Sequence, residues 1–302
     1  MNVELYEKLC GLMGKENVLQ QEPMCAHTTF RTGGPAQLYL TPDMEHIQPA
    51  LKLCRQEKMP FVVIGNGSNL LVGDKGIDGA VIEIGKRMSQ ITVEGEVITA
   101  QAGALMSAVA SRAAAASLTG LEFASGIPGS IGGAVVMNAG AYGGEMKDVL
   151  ISVTAADKEG RILTLSREEL ELSYRHSCIP EKGYYVLEAR LGLRQGDKEA
   201  VYDRMRELKN MRVSKQPLEY PSAGSTFKRP EGYFAGKLID DAGLRGYRVG
   251  GAQVSEKHCG FVINRENATS AQIRRLMEDV QAKVKEKFGV ELEPEVKFIG
   301  KF

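Results

Sequence analysis

The sequence predicts a mixed α+β protein of two or three domains, and three observations carry that expectation. The chain has 302 residues, more than one hydrophobic core usually organises. Its first third alternates strand-like and helix-like runs. Residues 123–144 (FASGIPGSIGGAVVMNAGAYGG) then form a 22-residue stretch without a charge, in a chain that is 25% Asp, Glu, Lys and Arg.

In the first third, residues 36–40 (AQLYL) read as a strand. Residues 41–58 read as a helix with Ile47, Leu51 and Cys54 on its apolar side, and 61–64 (FVVI) as a buried strand. Further apolar pieces lie around Val72 and at 80–84. Residues 91–100 (ITVEGEVITA) read as a hairpin around Glu94-Gly95, and the alanine-rich 104–118 as a helix stopped by Gly120 at its C′ position. Strands follow at 149–155, 161–165 and 184–193. A charged helix at 199–213 leads into Lys215-Gln216-Pro217, a turn-rich boundary. A helix from Ser270 to Gly289 carries the stripe Ile273, Leu276, Met277, Val280, Val284 and Phe288. The closing run 290–299 alternates like a strand, with Glu291, Glu293 and Glu295 on one face. The expected domains are 1–84, 85–205 and 206–302.

Composition excludes several functions. Lys plus Arg equals Asp plus Glu at 38 each, which favours neither nucleic acid nor an anionic membrane as partner. The five cysteines form no CxxC pair and the four histidines lack ligand spacing, so no metal is expected. The N-terminal MNVELYEKLCGLMGKE is charged throughout and has no apolar signal core. A cytoplasmic monomer is expected. The uncharged stretch is long enough to span a bilayer, but its seven glycines and one proline would leave backbone groups unpaired in lipid. Such a segment suits close approach of backbone to a large cofactor, because glycine has no Cβ.

A second glycine-rich turn, Gly65-Asn66-Gly67-Ser68-Asn69, follows the strand-like FVVI. It lacks the third glycine of a dinucleotide-binding turn, and the chain has no P-loop Gly-Lys-Ser/Thr. Its backbone N–H groups and hydroxyls suit a pyrophosphate. The same composition also makes ordinary connecting turns, and the turn alone does not separate the two. Together the two segments suggest one long ligand held by two small domains.

Eight segments now carry a family resemblance: HTTFRTGGPA (27–36), GNGSNLLV (65–72), GLEFASGIPGSIGGAVVMNAGAYGGEM (120–146), YRHS (174–177), KQP (215–217), SAGSTFKRP (222–230), AGKLIDDAGLRG (235–246) and LEPEVKFIG (292–300). In this order the chain resembles the UDP-N-acetylenolpyruvoylglucosamine reductases, in their shorter form. It departs at His27, where asparagine is usual, and at Arg229, where F-K-N-P is usual, so no substrate contact is assigned to 229.

The resemblance implies two small N-terminal α/β subdomains clasping non-covalent FAD, and a C-terminal α+β domain over the substrate. NADPH would reduce the flavin. The enolpyruvyl ether of the UDP-sugar would then take hydride from flavin N5 at C3 and a proton at C2, giving UDP-N-acetylmuramate for peptidoglycan. It also implies the roles. Arg175 would hold the carboxylate and the developing charge. Ser225 would protonate C2, and Glu295 would place charge or relay a proton beside Arg175. The cofactor would lie against Gly65, Asn66, Gly67, Ser68, Asn69 and Leu70, and against Ser125, Gly126, Ile127, Gly129, Ser130, Gly132, Gly133 and Val135. Asn138, Ala139, Gly140, Ala141 and Arg212 would complete that site. Tyr174, Lys215 and Lys228 would bind substrate. Two alternatives share the scaffold: another FAD-dependent oxidase, or a non-catalytic flavin or nucleotide-sugar binding protein.

Overall fold

The computed structural model describes residues 3–302, so Met1 and Asn2 of the charged N-terminal stretch lie outside the described residues. The class is α+β, and the chain divides into two compact units. The first comprises residues up to 20, 38–66 and 79–212, and the second 21–37, 67–78 and 213–302. Three strands, Val18–Pro23, Pro35–Leu40 and Ile77–Glu83, each carry the chain across a division between units.

The first unit is built on a five-stranded antiparallel sheet in the order Ile162–Ser166, Leu150–Ala156, Tyr185–Gly192, Val97–Gln101, Ile91–Glu94. Alternation dictates its faces: Ile98 and Ala100 are buried while their neighbours are half-buried. The helix Met106–Ala115 buries Met106, Val109, Ala110 and Ala113, the i, i+3, i+4, i+7 spacing of a core-facing stripe. Phe61–Ile64 pairs in parallel with Ile77–Glu83. The helix Ile47–Gln56 buries Ile47, Ala50, Leu51 and Cys54. Each buried leucine or isoleucine contributes about 1.5–3 kcal/mol relative to exposure.

The second unit has a three-stranded antiparallel sheet, Arg248–Val249, Ala252–Val254 and Val262–Asn264. Its core includes Leu238, Val262 and the whole apolar stripe of the helix Ser270–Phe288 except Phe288. That helix begins at a capping box, in which the Thr269 side chain accepts from Gln272 N and Gln272 Oε1 accepts from Thr269 N. It ends on Gly289 at φ 70°, where a left-handed residue closes the last turn. Leu276 is fully buried, so Leu276→Ala is expected to cost about 2–5 kcal/mol in chemical unfolding. A loss below about 0.5 kcal/mol, typical of surface positions, would contradict its place in the core.

Three expectations are corrected. The helix expected over 41–58 spans Ile47–Gln56, after a turn in which Asp43 Oδ1 accepts from the Glu45 and His46 backbone N–H groups. The alanine-rich helix stops at Ala115, with Ser117 left-handed at φ 59°. Leu118–Thr119 then pairs with Arg194–Gln195, so Gly120 is not its cap. The closing strand is confined to Lys297–Ile299, paired in parallel with Leu70–Val72. Upstream of it Pro294 makes only an isolated bridge to Phe227, because the Thr226 N–H that would extend the pairing donates to Gly260 O. The expected alternation holds for buried Leu292 and Val296 and fails at Phe298, which is 41% exposed.

Among the described residues, no helix is long and apolar enough to cross a membrane. No cluster of His, Cys, Asp or Glu among them could hold a metal.

Candidate active site

The turn after Phe61–Ile64 is divided between the units, with Gly65 and Asn66 in the first and residues 67–70 in the second. In the first unit, a Cβ on Gly65 would stand 2.3 Å from Ser130 Oγ, so a larger residue would displace Ser130. The Ser130 hydroxyl is buried and has no hydrogen-bond partner among the described residues. Asn66 Nδ2 donates to Pro128 O at 2.5 Å, which ties the turn to the uncharged segment. In the second unit, Gly67 sits at φ 60° and a Cβ there would meet His27 O at 2.0 Å. Both conditions require glycine. Asn69 Nδ2 donates to Glu295 O at 3.0 Å. Leu70 opens the parallel pair with Lys297, and Ser68 is half-buried.

The uncharged segment forms a short 3-10 turn, Glu122–Gly126, and a short helix, Ile131–Val136. Part of it packs rather than presents free donors. Ser125 Oγ donates to Glu122 O, Ile131 N–H to Ala104 O and Gly132 N–H to Ala102 O, all at 2.8 Å. Ile127 N–H bonds Ala124 O, and Gly129 O accepts from Met106 N–H. Val135 is fully buried, and a Cβ on Gly133 would lie 3.7 Å from Ser130 Oγ. Gly140–Ala141 pairs with Gly144–Glu145, and Ala139 N–H closes on Ala134 O.

Arg212 lies beside this segment. A Cβ on Gly126 would lie 3.1 Å from Arg212 Cδ, and no carboxylate pairs with the guanidinium among the described residues. Burial pushes its pKa below the ordinary arginine value, with Tyr142 acting weakly the other way. A half-buried cation with no internal anion suits an anionic ligand. Together with the orphaned Ser130 hydroxyl and the Gly65 cradle, it fits the diphosphate of a flavin dinucleotide. Arg212→Met is therefore expected to weaken FAD binding by about 1.5–3 kcal/mol, roughly ten- to hundredfold. The cofactor-free protein should unfold at an unchanged or higher temperature. Unchanged FAD affinity in a fluorescence titration would remove Arg212 from the site.

Arg175 occupies a two-residue turn closed by Ser173 and His176, whose backbones exchange hydrogen bonds at 3.1 and 3.2 Å. Its φ is 55°, a left-handed conformation that costs a non-glycine residue about 1–2 kcal/mol. The guanidinium lies 5.1 Å from the ring centroid of Tyr174, which is 52% exposed. Beneath the turn, Asn138 Nδ2 donates to Ser173 O and Ser177 Oγ donates to Val136 O.

The second unit holds the other expected catalytic residues around Thr226. Ser225 is exposed and Thr226 is buried. Thr226 N–H donates to Gly260 O at 2.9 Å, its Oγ1 accepts from Val262 N–H at 2.8 Å, and its carbonyl accepts from Glu295 N–H at 2.9 Å. Thr226 thus fixes the register of Ser225 against the Val262 strand and against Glu295. Sequence reasoning missed it, and its only signal was a β-branched residue beside the serine. Lys228 Nζ is paired with Glu293 Oε1 at 2.5 Å, so an incoming phosphate would compete with that carboxylate. Lys215 is exposed at the end of the helix Lys198–Lys215, and no carboxylate pairs with it among the described residues. Arg229 stacks on Phe234 at 3.9 Å from the ring centroid.

A model of the C-terminal domain of UDP-N-acetylenolpyruvoylglucosamine reductase matches residues 216–299, and an FAD binding domain matches residues 35–166. The UDP-N-acetylenolpyruvoylglucosamine reductase of Agathobacter rectalis is 59% identical, over 100% of this chain and 100% of its own. That of Clostridium perfringens is 52% identical over 99% of this chain and 98% of its own. The crystal structure of the Thermus caldophilus reductase has a TM-score of 0.80 at 37% identity, covering 93% of this chain and 97% of that one.

Proposed function

This chain belongs to the UDP-N-acetylenolpyruvoylglucosamine reductase family, and from that premise we propose how its own residues carry the reaction. The protein is an FAD-containing oxidoreductase of peptidoglycan precursor synthesis, reducing UDP-N-acetylglucosamine enolpyruvate with NADPH as reductant. When bound, FAD supplies the hydride drawn from NADPH. The residues proposed to hold it are the turn 65–70, the segment 125–135 with Ser130 foremost, and Arg212. The enzyme is proposed to work in the cytoplasm as a monomer.

As C3 of the enolpyruvyl group is reduced, negative charge develops at C2 and spreads onto the adjacent carboxylate. The Arg175 guanidinium holds that carboxylate through a planar pair of N–H donors and lowers the energy of the developing charge. The Ser225 hydroxyl gives its proton to C2. A serine is a weak acid, so this step needs a strongly basic carbon and a cation to steady the resulting alkoxide, for which Lys215 and Lys228 are the candidates. Glu295 balances charge or relays the replacement proton. Tyr174 packs against the substrate. The observation that most directly supports these roles is Thr226, which ties exposed Ser225 and Glu295 to one rigid strand arrangement.

The test is steady-state turnover. Purified protein carrying FAD should oxidise NADPH only when UDP-N-acetylglucosamine enolpyruvate is present, and mass spectrometry should find UDP-N-acetylmuramate. NADPH consumption that depends on oxygen and ignores the enolpyruvyl substrate would instead favour an oxidase.

A further inference from the structure

We infer that Asn138 is a positioning residue for Arg175, and that it links the glycine-rich segment to the turn that presents the guanidinium. The inference rests on the substrate role proposed for Arg175. Asn138 was expected to lie against the cofactor, yet its side chain is fully buried and every strong hydrogen-bonding group on it is engaged by protein. Nδ2 donates to Ser173 O at 3.0 Å and to Glu145 Oε2 at 2.9 Å, and Oδ1 accepts from Lys147 N–H at 2.9 Å. The opposite amide orientation would set Oδ1 against a carbonyl and a carboxylate, three acceptors together, so the network fixes the assignment.

The geometry is specific to the Arg175 turn. Ser173 O is the carbonyl that also closes the turn by accepting His176 N–H at 3.1 Å. Asn138 therefore holds the residue just before Tyr174-Arg175. Two residues earlier in the same segment, Val136 O accepts from Ser177 Oγ at 2.8 Å and holds the residue just beyond the turn. The turn that carries left-handed Arg175 is clamped on both sides by residues 136–138. Asn138 itself is left-handed, at φ 41°, just beyond Met137, the C-cap of the helix Ile131–Val136. Asparagine tolerates that conformation better than most residues and at the same time supplies the two donors the site needs. A left-handed arginine persists only where its surroundings over-determine it, and these two tethers supply that constraint.

The experiment measures the two half-reactions of the FAD-loaded enzyme separately, in Asn138→Gly, Ser177→Ala, Arg175→Ala and the Asn138→Gly/Arg175→Ala pair. Glycine keeps the left-handed backbone accessible and removes only the side chain. Asn138→Gly is expected to slow oxidation of the prereduced enzyme by UDP-N-acetylglucosamine enolpyruvate roughly 10- to 100-fold. Reduction by NADPH should stay within about twofold, and in the Arg175→Ala background the same change should add less than about twofold. Ser177→Ala should act on the same half-reaction, more weakly. Equal slowing of both half-reactions, or a full additive effect in the double variant, would make Asn138 a merely structural residue and overturn the inference. If Asn138→Gly does not retain FAD, Ser177→Ala decides the matter, and a substrate half-reaction within about twofold of wild type overturns the inference. Near-normal turnover of Arg175→Ala would instead overturn the role proposed for Arg175.

Discussion

Arg175→Ala is expected to slow reduction of the enolpyruvyl substrate by about 10²–10³-fold, the usual loss when one preorganised donor to a developing anion is removed. Bleaching of the flavin by NADPH should continue near the wild-type rate, because the charge that Arg175 meets arises only on the substrate. The backbone at this position is left-handed at φ 55°, and alanine meets the same conformational cost as arginine, so the fold should tolerate the change. Arg175→Lys should recover only part of the activity. A lysine ammonium keeps the charge but lacks the planar fork that grips a carboxylate with two parallel bonds. An alanine variant with ordinary kcat and KM would assign the carboxylate to another group.

Ser225→Ala is expected to keep flavin reduction by NADPH and to lose product formation by about 10²–10⁴-fold, the range for removing a positioned general acid. The substitution is structurally mild. Ser225 is exposed, while the hydrogen bonds that hold its segment belong to Thr226 and its partners Gly260, Val262 and Glu295. Stability should therefore change by no more than about 0.5 kcal/mol, and lost turnover would be attributable to the missing hydroxyl. Turnover at the wild-type rate would remove Ser225 from the proton transfer and direct attention to Glu295.

The elements most legible in the sequence are those fixed by local pattern. The helix Ser270–Phe288 has its stripe, its capping box and its terminal glycine all within its own residues. The hairpin Ile91–Glu94 with Val97–Gln101 likewise needs only alternation and Gly95 at φ 60°. The closing run forms a shorter strand than its period-two alternation implies because the Thr226 N–H that would extend its pairing is taken by Gly260 O. The alanine-rich helix is shorter than its propensity implies because Leu118 and Thr119 gain a pairing with Arg194–Gln195 that propensity does not register. The helix Val3–Met13 buries Leu5, Leu9 and Met13, a stripe hidden in a stretch read only for its charges. The interleaving of the units was not legible, since three strands run through the divisions and no linker marks them.

At the site, residue type was legible and partnership was not. The Gly65 and Gly67 constraints follow from a glycine-rich turn after a strand. Which donors remain available depends on tertiary contacts: Ile131, Gly132 and Ser125 are engaged by nearby carbonyls, while Ser130 Oγ has no partner among the described residues. Arg212 gains its significance from having no carboxylate paired with it among the described residues, a property of the fold alone.

The most direct measurement is anaerobic stopped-flow absorbance of the FAD-loaded protein, bleached with NADPH and then mixed with UDP-N-acetylglucosamine enolpyruvate. Rapid return of the oxidised-flavin band in step with UDP-N-acetylmuramate formation is the expected result. A flavin that NADPH bleaches but the enolpyruvyl substrate fails to reoxidise would contradict the proposed reaction.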